Sequence, residues 1–304
     1  PLLPSPPLPF PSLPTMATII SFRHFPLSNF VVMVSLLAVV QGGVWRAGPD
    51  GSGPGTPANR DDSAAAALGG CLYVIGGKTD IGISNDVWQL CGNEWTSMAV
   101  DMAPPHTASP SAPPPPPLPF MEDHVVTSLE PDVLFVFLEQ YVWMANTTDA
   151  PLGALLFSGP YGPLPGGASL KDATGVAVTD PTSGVPHFII FGGLDRNSLA
   201  NPTSNKLYDF DSATGDISLL QVSSTTGLLP LPREDSFMAL ADDGLVYMFG
   251  GAFGDDVLDD MWTFDYGPRI WQPIPRPSDP AAVWPPPPPA AAAPSPLSCS
   301  SSER

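Results

Sequence analysis

An apolar strand that runs into two glycines recurs along this chain. It is seen as Leu72-Tyr73-Val74-Ile75-Gly76-Gly77, as Phe188-Ile189-Ile190-Phe191-Gly192-Gly193 and as Val246-Tyr247-Met248-Phe249-Gly250-Gly251. Gly193 and Gly251 lie 58 residues apart, and Gly77 and Gly193 lie 116 apart, twice that period. Midway stands Leu134-Phe135-Val136-Phe137-Leu138-Glu139, the same strand with its glycines replaced. Four copies at such a period mean a repeat architecture.

Each copy carries the same parts in the same order. An Asp opens it: Asp62, Asp123, Asp172 and Asp235, each followed by a short run of small or apolar residues. After the glycine position comes an aromatic strand, centred on Trp88, Trp143, Tyr208 and Trp262. A last short strand starts at Trp95 in the first copy and Trp271 in the fourth, with Ile217 in that place in the third and Leu155-Leu156-Phe157 in the second. Four short strands make a sheet too small to bury either face alone, so each copy needs neighbours. Paired glycines suit a strand end where φ turns positive or another backbone comes close.

This pattern resembles the kelch repeat of β-propellers. The resemblance rests on Gly76, Gly77, Trp88 and Trp95, on Gly192, Gly193 and Tyr208, and on Gly250, Gly251, Trp262 and Trp271, and it covers about residues 60 to 275. It implies an all-β, kelch-type propeller of four-stranded antiparallel blades at about 60–99, 120–158, 169–222 and 232–274. Such rings more often have five to seven blades, so a truncated ring is one expectation. Asp stands in all four units where kelch units often carry His.

The flanks read differently. Residues 1–43 form a proline-rich leader and, from Met16, a candidate secretory signal whose apolar run, Phe30 to Val40, is too short for a span of about 20 residues. The rival reading of that run is a core strand. Residues 44–59, with Trp45, read as a linker, 103–119 as a proline-rich surface insertion, and 276–304 as a disordered Pro/Ala/Ser-rich tail holding Cys299. No membrane span is expected in the mature chain, which reads as secreted, or otherwise as cytoplasmic.

If Gly77 faces Asn85 across its hairpin, Cys71 faces Cys91, and directly opposed cysteines can bridge. The alternative is two buried thiols. Asn146-Thr147-Thr148 is an N-glycosylation acceptor, relevant in a secreted chain. A net charge of −19 argues against nucleic acid as a partner.

Catalytic signals are weak. Of four histidines, His24 falls in the candidate signal, His106 in the insertion and His187 before a core strand, leaving His124 at a strand start. No Gly-x-Ser-x-Gly or phosphate-binding loop is present. Galactose oxidase is a kelch-type enzyme, and that resemblance would require two histidines and a tyrosine crosslinked to cysteine around copper. The specifier proteins of the same type hold iron, through a ligand motif not recognisable here. Asp62, Asp123, Asp172 and Asp235 are a candidate ring at one channel mouth for a cation or basic peptide, or else each bonds its own turn. Asp255, Asp256, Asp259 and Asp260 form an acidic loop with oxygen donors for calcium, read in preference as solvated. The expectation is a non-catalytic interaction module without cofactor, binding a protein or glycan through face loops. The alternatives are a metal-dependent enzyme of the galactose-oxidase type and a structural component of matrix or wall.

Overall fold

The computed structural model describes residues 55–105, 114–148, 153–199 and 202–275. The candidate signal, Trp45, His24, His106 and Cys299 lie outside the described residues. The blades belong to a compact unit that runs to Pro273; of a second unit, Ile274–Arg304, only the first two residues are described.

The described residues form β-strands with one 3₁₀ turn, Pro165–Gly167. Blade 1 consists of Ala64–Leu68, Cys71–Thr79, Gly82–Cys91 and Glu94–Ala103. Blade 2 consists of Val125–Leu129, Val133–Leu138, Tyr141–Asn146 and Ala154–Tyr161. Blade 3 has Thr174–Thr179, Pro186–Phe191, Leu207–Asp211 and Ile217–Leu219, and blade 4 has Phe237–Leu240, Val246–Phe249, Met261–Asp265 and Ile270–Ile274. Within each blade the strands neighbour one another in chain order.

First strands of consecutive blades lie against one another, from blade 1 through blade 4. Hydrogen bonds tie them: Ser128 Oγ donates to Ala67 O at 2.7 Å, and Ala177 N donates to Thr127 Oγ1 at 3.1 Å. The first strands therefore form the hub, as in a β-propeller.

Packing explains the sequence of the second strands. Period-two alternation sends successive side chains to opposite faces. In blade 2, Leu134 and Val136 enter the core shared with blade 1, while Phe135 and Phe137 enter the core shared with blade 3. In blade 3, Phe188 and Ile190 look back to blade 2 and Ile189 and Phe191 look forward to blade 4. A strand buried on both faces has no polar position, which is why it reads as an unbroken apolar run.

The chain leaving an outer strand also reaches the next blade. Ala99–Ala103 pairs in parallel with Ala154–Ser158, and Ser223–Ser224 pairs in parallel with Ile270–Trp271. The first blade thus runs past 99 to Ala103. The insertion that follows is not wholly a surface loop: Leu118 is buried in the core between blades 1 and 2, and its carbonyl accepts from Asn85 Nδ2 at 2.7 Å.

Both reasons for glycine hold at the strand ends. Gly192 has φ 73°, and a Cβ there would sit 2.4 Å from Arg233 O of the next blade. Gly193 has φ 83°, and its Cβ would meet Lys171 O of its own blade at 2.7 Å. The close approach is productive, because Gly193 N donates to Arg233 O and Gly77 N to Met121 O, both at 2.8 Å. Blade 2 keeps the backbone without the glycine: Glu139 has φ 56°, and its carbonyl accepts from Leu170 N at 2.8 Å.

In blade 1 the register differs from a simple hairpin. Ile75 pairs with Val87 and Cys71 with Cys91, but Gly77 pairs with Ser84, not Asn85, because a bulge lies between Ile75 and Gly77. Cys71 and Cys91 are joined by a disulfide, with Cα atoms 4.5 Å apart as in a non-hydrogen-bonded pair.

Candidate functional site

Antiparallel blades have two unlike ends. Connections from second to third strand and from fourth strand to the next first strand emerge on one face, the loop face. Connections from first to second and from third to fourth strand emerge on the other, the turn face.

Two buried clamps hold the loop face. Arg233 is fully buried and donates through NH1 and NH2 to the two oxygens of Asp260, at 2.6 and 2.8 Å, and through NH1 to Gly250 O at 2.9 Å. Trp262 Nε1 donates to the same carboxylate at 2.7 Å. Blade 1 repeats this with Arg60, Asp86, Gly76 O and Trp88. Burial alone would raise the Asp86 carboxyl; hydrogen bonds from Arg60, Ser84 and Trp88 outweigh it and lower it to about 2. The Asp260 carboxyl is lowered by the same opposition of burial against Arg233 and Trp262. Asp260 is thus engaged by a guanidinium and is not an open calcium ligand of the acidic loop. Blades 2 and 3 lack both partners: Met121 and Leu170 replace the Arg, and Tyr141 and Lys206 replace the Asp. Correspondingly, Trp143 Nε1 and Tyr208 OH are buried without a hydrogen-bond partner among the described residues.

The four recurring aspartates share one conformation. Asp62, Asp123, Asp172 and Asp235 have φ of 49°, 55°, 58° and 54°, the left-handed region that Asp tolerates better than most residues. Each stands where the chain turns into a first strand, and Asp235 N donates to Asp172 O at 3.0 Å, linking blades 3 and 4. A cation of the chain itself already serves two of them: Lys171 Nζ is 2.9 Å from Asp123 Oδ2 and 3.8 Å from Asp172 Oδ2. Among the described residues no three His, Cys, Asp or Glu side chains converge on a metal-binding point.

His124 is buried, with Nε2 3.0 Å from Ile75 O, so it joins blade 2 to blade 1. The histidine that the sequence left unremarkable, His187, has the richer setting. Its Nδ1 lies 3.0 Å from Asp209 Oδ1, and Tyr266 OH of blade 4 donates to Asp209 Oδ2 at 3.1 Å. All three are buried at the turn face. Burial lowers the His187 pKa, but the Asp209 hydrogen bond and the charges of Asp209, Asp211 and Asp180 outweigh it, and the net shift is upward. Burial and Asp209 together push the Tyr266 hydroxyl well above its ordinary value.

Asn146 closes the third strand of blade 2 at the turn face. Its Oδ1 accepts from Thr148 N at 3.0 Å and Thr148 Oγ1 at 2.7 Å, folding the acceptor triplet into an Asx turn.

The exposed apolar side chains are distributed unevenly. Among the described residues, Ile81, Leu199, Phe253 and Val257 stand on second-to-third connections. Phe120, Leu228, Leu229 and Leu231 stand on fourth-to-first connections. Ile83, Tyr141 and Leu219 lie where their strands meet the same face. Among the described residues, the large exposed apolar side chains are thus all at the loop face. The turn face carries Asn93, Glu94, Asp180, Thr214, Asp216, Asp242 and Asp243 instead.

At the loop face a cleft of about 170 Å³ is lined by Ile83 of blade 1, Phe120, Glu122, Asp123, Leu138 and Glu139 of blade 2, and Leu170, Lys171 and Arg196 of blade 3. Arg196 NH1 bridges to Glu139 Oε1 at 2.5 Å along its wall.

No characterised protein matches the chain at a significant level. Residues 59–99 match the family model of the Kelch motif, which is blade 1 from its clamp arginine to the middle of its outer strand. With that unit followed by three blades of the same strand order, the chain has a β-propeller fold whose first blade carries a Kelch motif.

Proposed function

We propose that this propeller is a non-catalytic interaction module that binds a partner protein through its loop face. The observation that carries the reading is that, among the described residues, the large exposed apolar side chains are confined to that face. Scattered exposed hydrophobes are ordinary, whereas their gathering on one surface marks a docking site. Loops on a rigid scaffold are also where recognition residues usually sit. The disulfide and the Asx-turned acceptor triplet support maturation in an oxidising, glycosylating compartment. Among the described residues no helix is long and apolar enough to cross a membrane.

The test pairs the two faces. Full-length chain carrying Ile81→Asp and Val257→Asp is compared with Asp216→Lys, an exposed turn-face change, in crosslinking capture from extracellular extracts and on glycan arrays. The loop-face variant is expected to lose the captured partner and the turn-face variant to keep it. Equal capture by both, or binding to glycans alone, would overturn the reading.

A further inference from the structure

The cleft at the junction of blades 1, 2 and 3 has a chemistry of its own. Its volume of about 170 Å³ is below the roughly 300–1,000 Å³ of sites that hold a drug-sized molecule, so it matches one side chain better than a free ligand. Its charges are mostly spent. Lys171 is held by Asp123 and Asp172, and Arg196 by Glu139. Glu122 lines the same cleft and has no ion-pair partner among the described residues. The three carboxylates and two cations of the lining therefore leave a net negative charge. Phe120, 67 % exposed, and Ile83, 41 % exposed, give the lining an apolar part that reaches solvent.

We propose that this cleft seats one basic side chain of a partner protein, arginine or lysine, with apolar residues beside it resting on Phe120 and Ile83. The inference rests on the loop-face reading and gives it a ligand chemistry. An anion would have to displace Asp123 or Glu139 from their cations, whereas a cation meets Glu122 without breaking any pair. An arginine can also lie against the exposed ring of Phe120, since aromatic faces attract guanidinium groups. The chain's net charge of −19 draws basic surfaces toward it over longer range.

The test is selection from a random peptide display library on immobilised full-length chain, followed by affinity measurement of the selected peptides. Selected sequences are expected to share an Arg or Lys next to a large apolar residue. Glu122→Lys and Phe120→Ala are each expected to weaken them about tenfold or more, with weaker binding in high salt and no change for Asp216→Lys. Glu122→Gln keeps the shape and removes only the charge, so it decides the matter if Glu122→Lys disturbs folding. Peptides lost on Ile81→Asp yet lacking a basic residue, or indifferent to Glu122→Gln, would overturn this inference and leave the loop-face reading standing. Peptides that ignore every loop-face change, or no enrichment at all, would overturn both.

Discussion

Replacing Arg233 by Met should destabilise the propeller by about 3 kcal/mol. Arg233 is fully buried and makes two bonds to the Asp260 carboxylate, one to Gly250 O and one to Leu231 O. Breaking a buried ion pair from one side costs roughly 3–5 kcal/mol, because the other charge stays behind. The lower end applies here, since the Asp260 side chain is 35 % exposed and water takes up part of the loss. Asp260→Tyr should cost more, toward about 5 kcal/mol, because the charge it strands is wholly buried. The double change Arg233→Met with Asp260→Tyr copies Met121 and Tyr141 of blade 2. It should cost only about 1–2 kcal/mol, the loss of a partner for Trp262 Nε1. Urea unfolding followed by tryptophan fluorescence reads the ranking. With a slope of about 2–3 kcal/mol per molar, the first change lowers the midpoint by roughly 1–1.5 M. A double variant as unstable as the sum of the singles, or an Arg233→Met variant within about 0.5 kcal/mol of the parent, would refute the reasoning.

Gly192→Ala and Gly250→Ala should differ although both glycines have left-handed backbones, with φ of 73° and 66°. A Cβ at 192 would lie 2.4 Å from Arg233 O, while at 250 the nearest atom, Leu258 O, is 3.3 Å away. Both changes carry about 1–2 kcal/mol of conformational cost, and the first adds about 1–3 kcal/mol of overpacking; equal urea midpoints would contradict the inter-blade contact. For His187, a folded-state pKa above the ordinary 6.5 means its contribution is complete below that pH and disappears as pH rises through the raised value. Stability should therefore fall across that window in the parent, and His187→Gln should remove that part of the pH dependence. An unchanged profile would show that the Asp209 pairing does not couple to folding.

The blade count, the strand order and the apolar second strands could be read from the sequence because each is written as a period. Strands buried on both faces leave no polar residue, and the glycine pair marks the same corner three times. The clamps were harder to see. Arg60 and Asp86, like Arg233 and Asp260, are 26 or 27 residues apart, and only the folded blade sets them fork to fork. The signal was present nonetheless: Arg and Asp occur together in units 1 and 4 and are absent together from units 2 and 3. The recurring aspartates were visible as a repeat, but their shared left-handed backbone and the placement of Lys171 between two of them needed coordinates. His124 and His187 exchanged importance for a similar reason. Sequence position gives a strand end, but burial and the approach of Tyr266 from the next blade are tertiary facts. The cleft draws on three blades and two connections, so no local pattern announces it.

The polarity of the two faces follows from chain direction. A blade that begins at the hub with its first strand leaving the loop face must return there at the end of its second strand and again at the end of its fourth. The described connections between blades 2 and 3 and from Ser223 to Glu234 therefore emerge on the same side. The clamps lie at that side as well, because the glycine corner and the aspartate opening the third strand are both there. Clamped corners and exposed connections are thereby set next to each other. In blades 1 and 4 arginine forks fix the corners, while the connections carry exposed apolar residues that no core requires. Turn-face changes, in contrast, fall on turns whose polar side chains bond their own backbones, as Asp180 does with Thr182 N and Ser183 N at 2.7 and 2.9 Å. Selection for a partner can alter the loop face without disturbing the hub, and it is there that Phe120 and Glu122 stand side by side with the cleft.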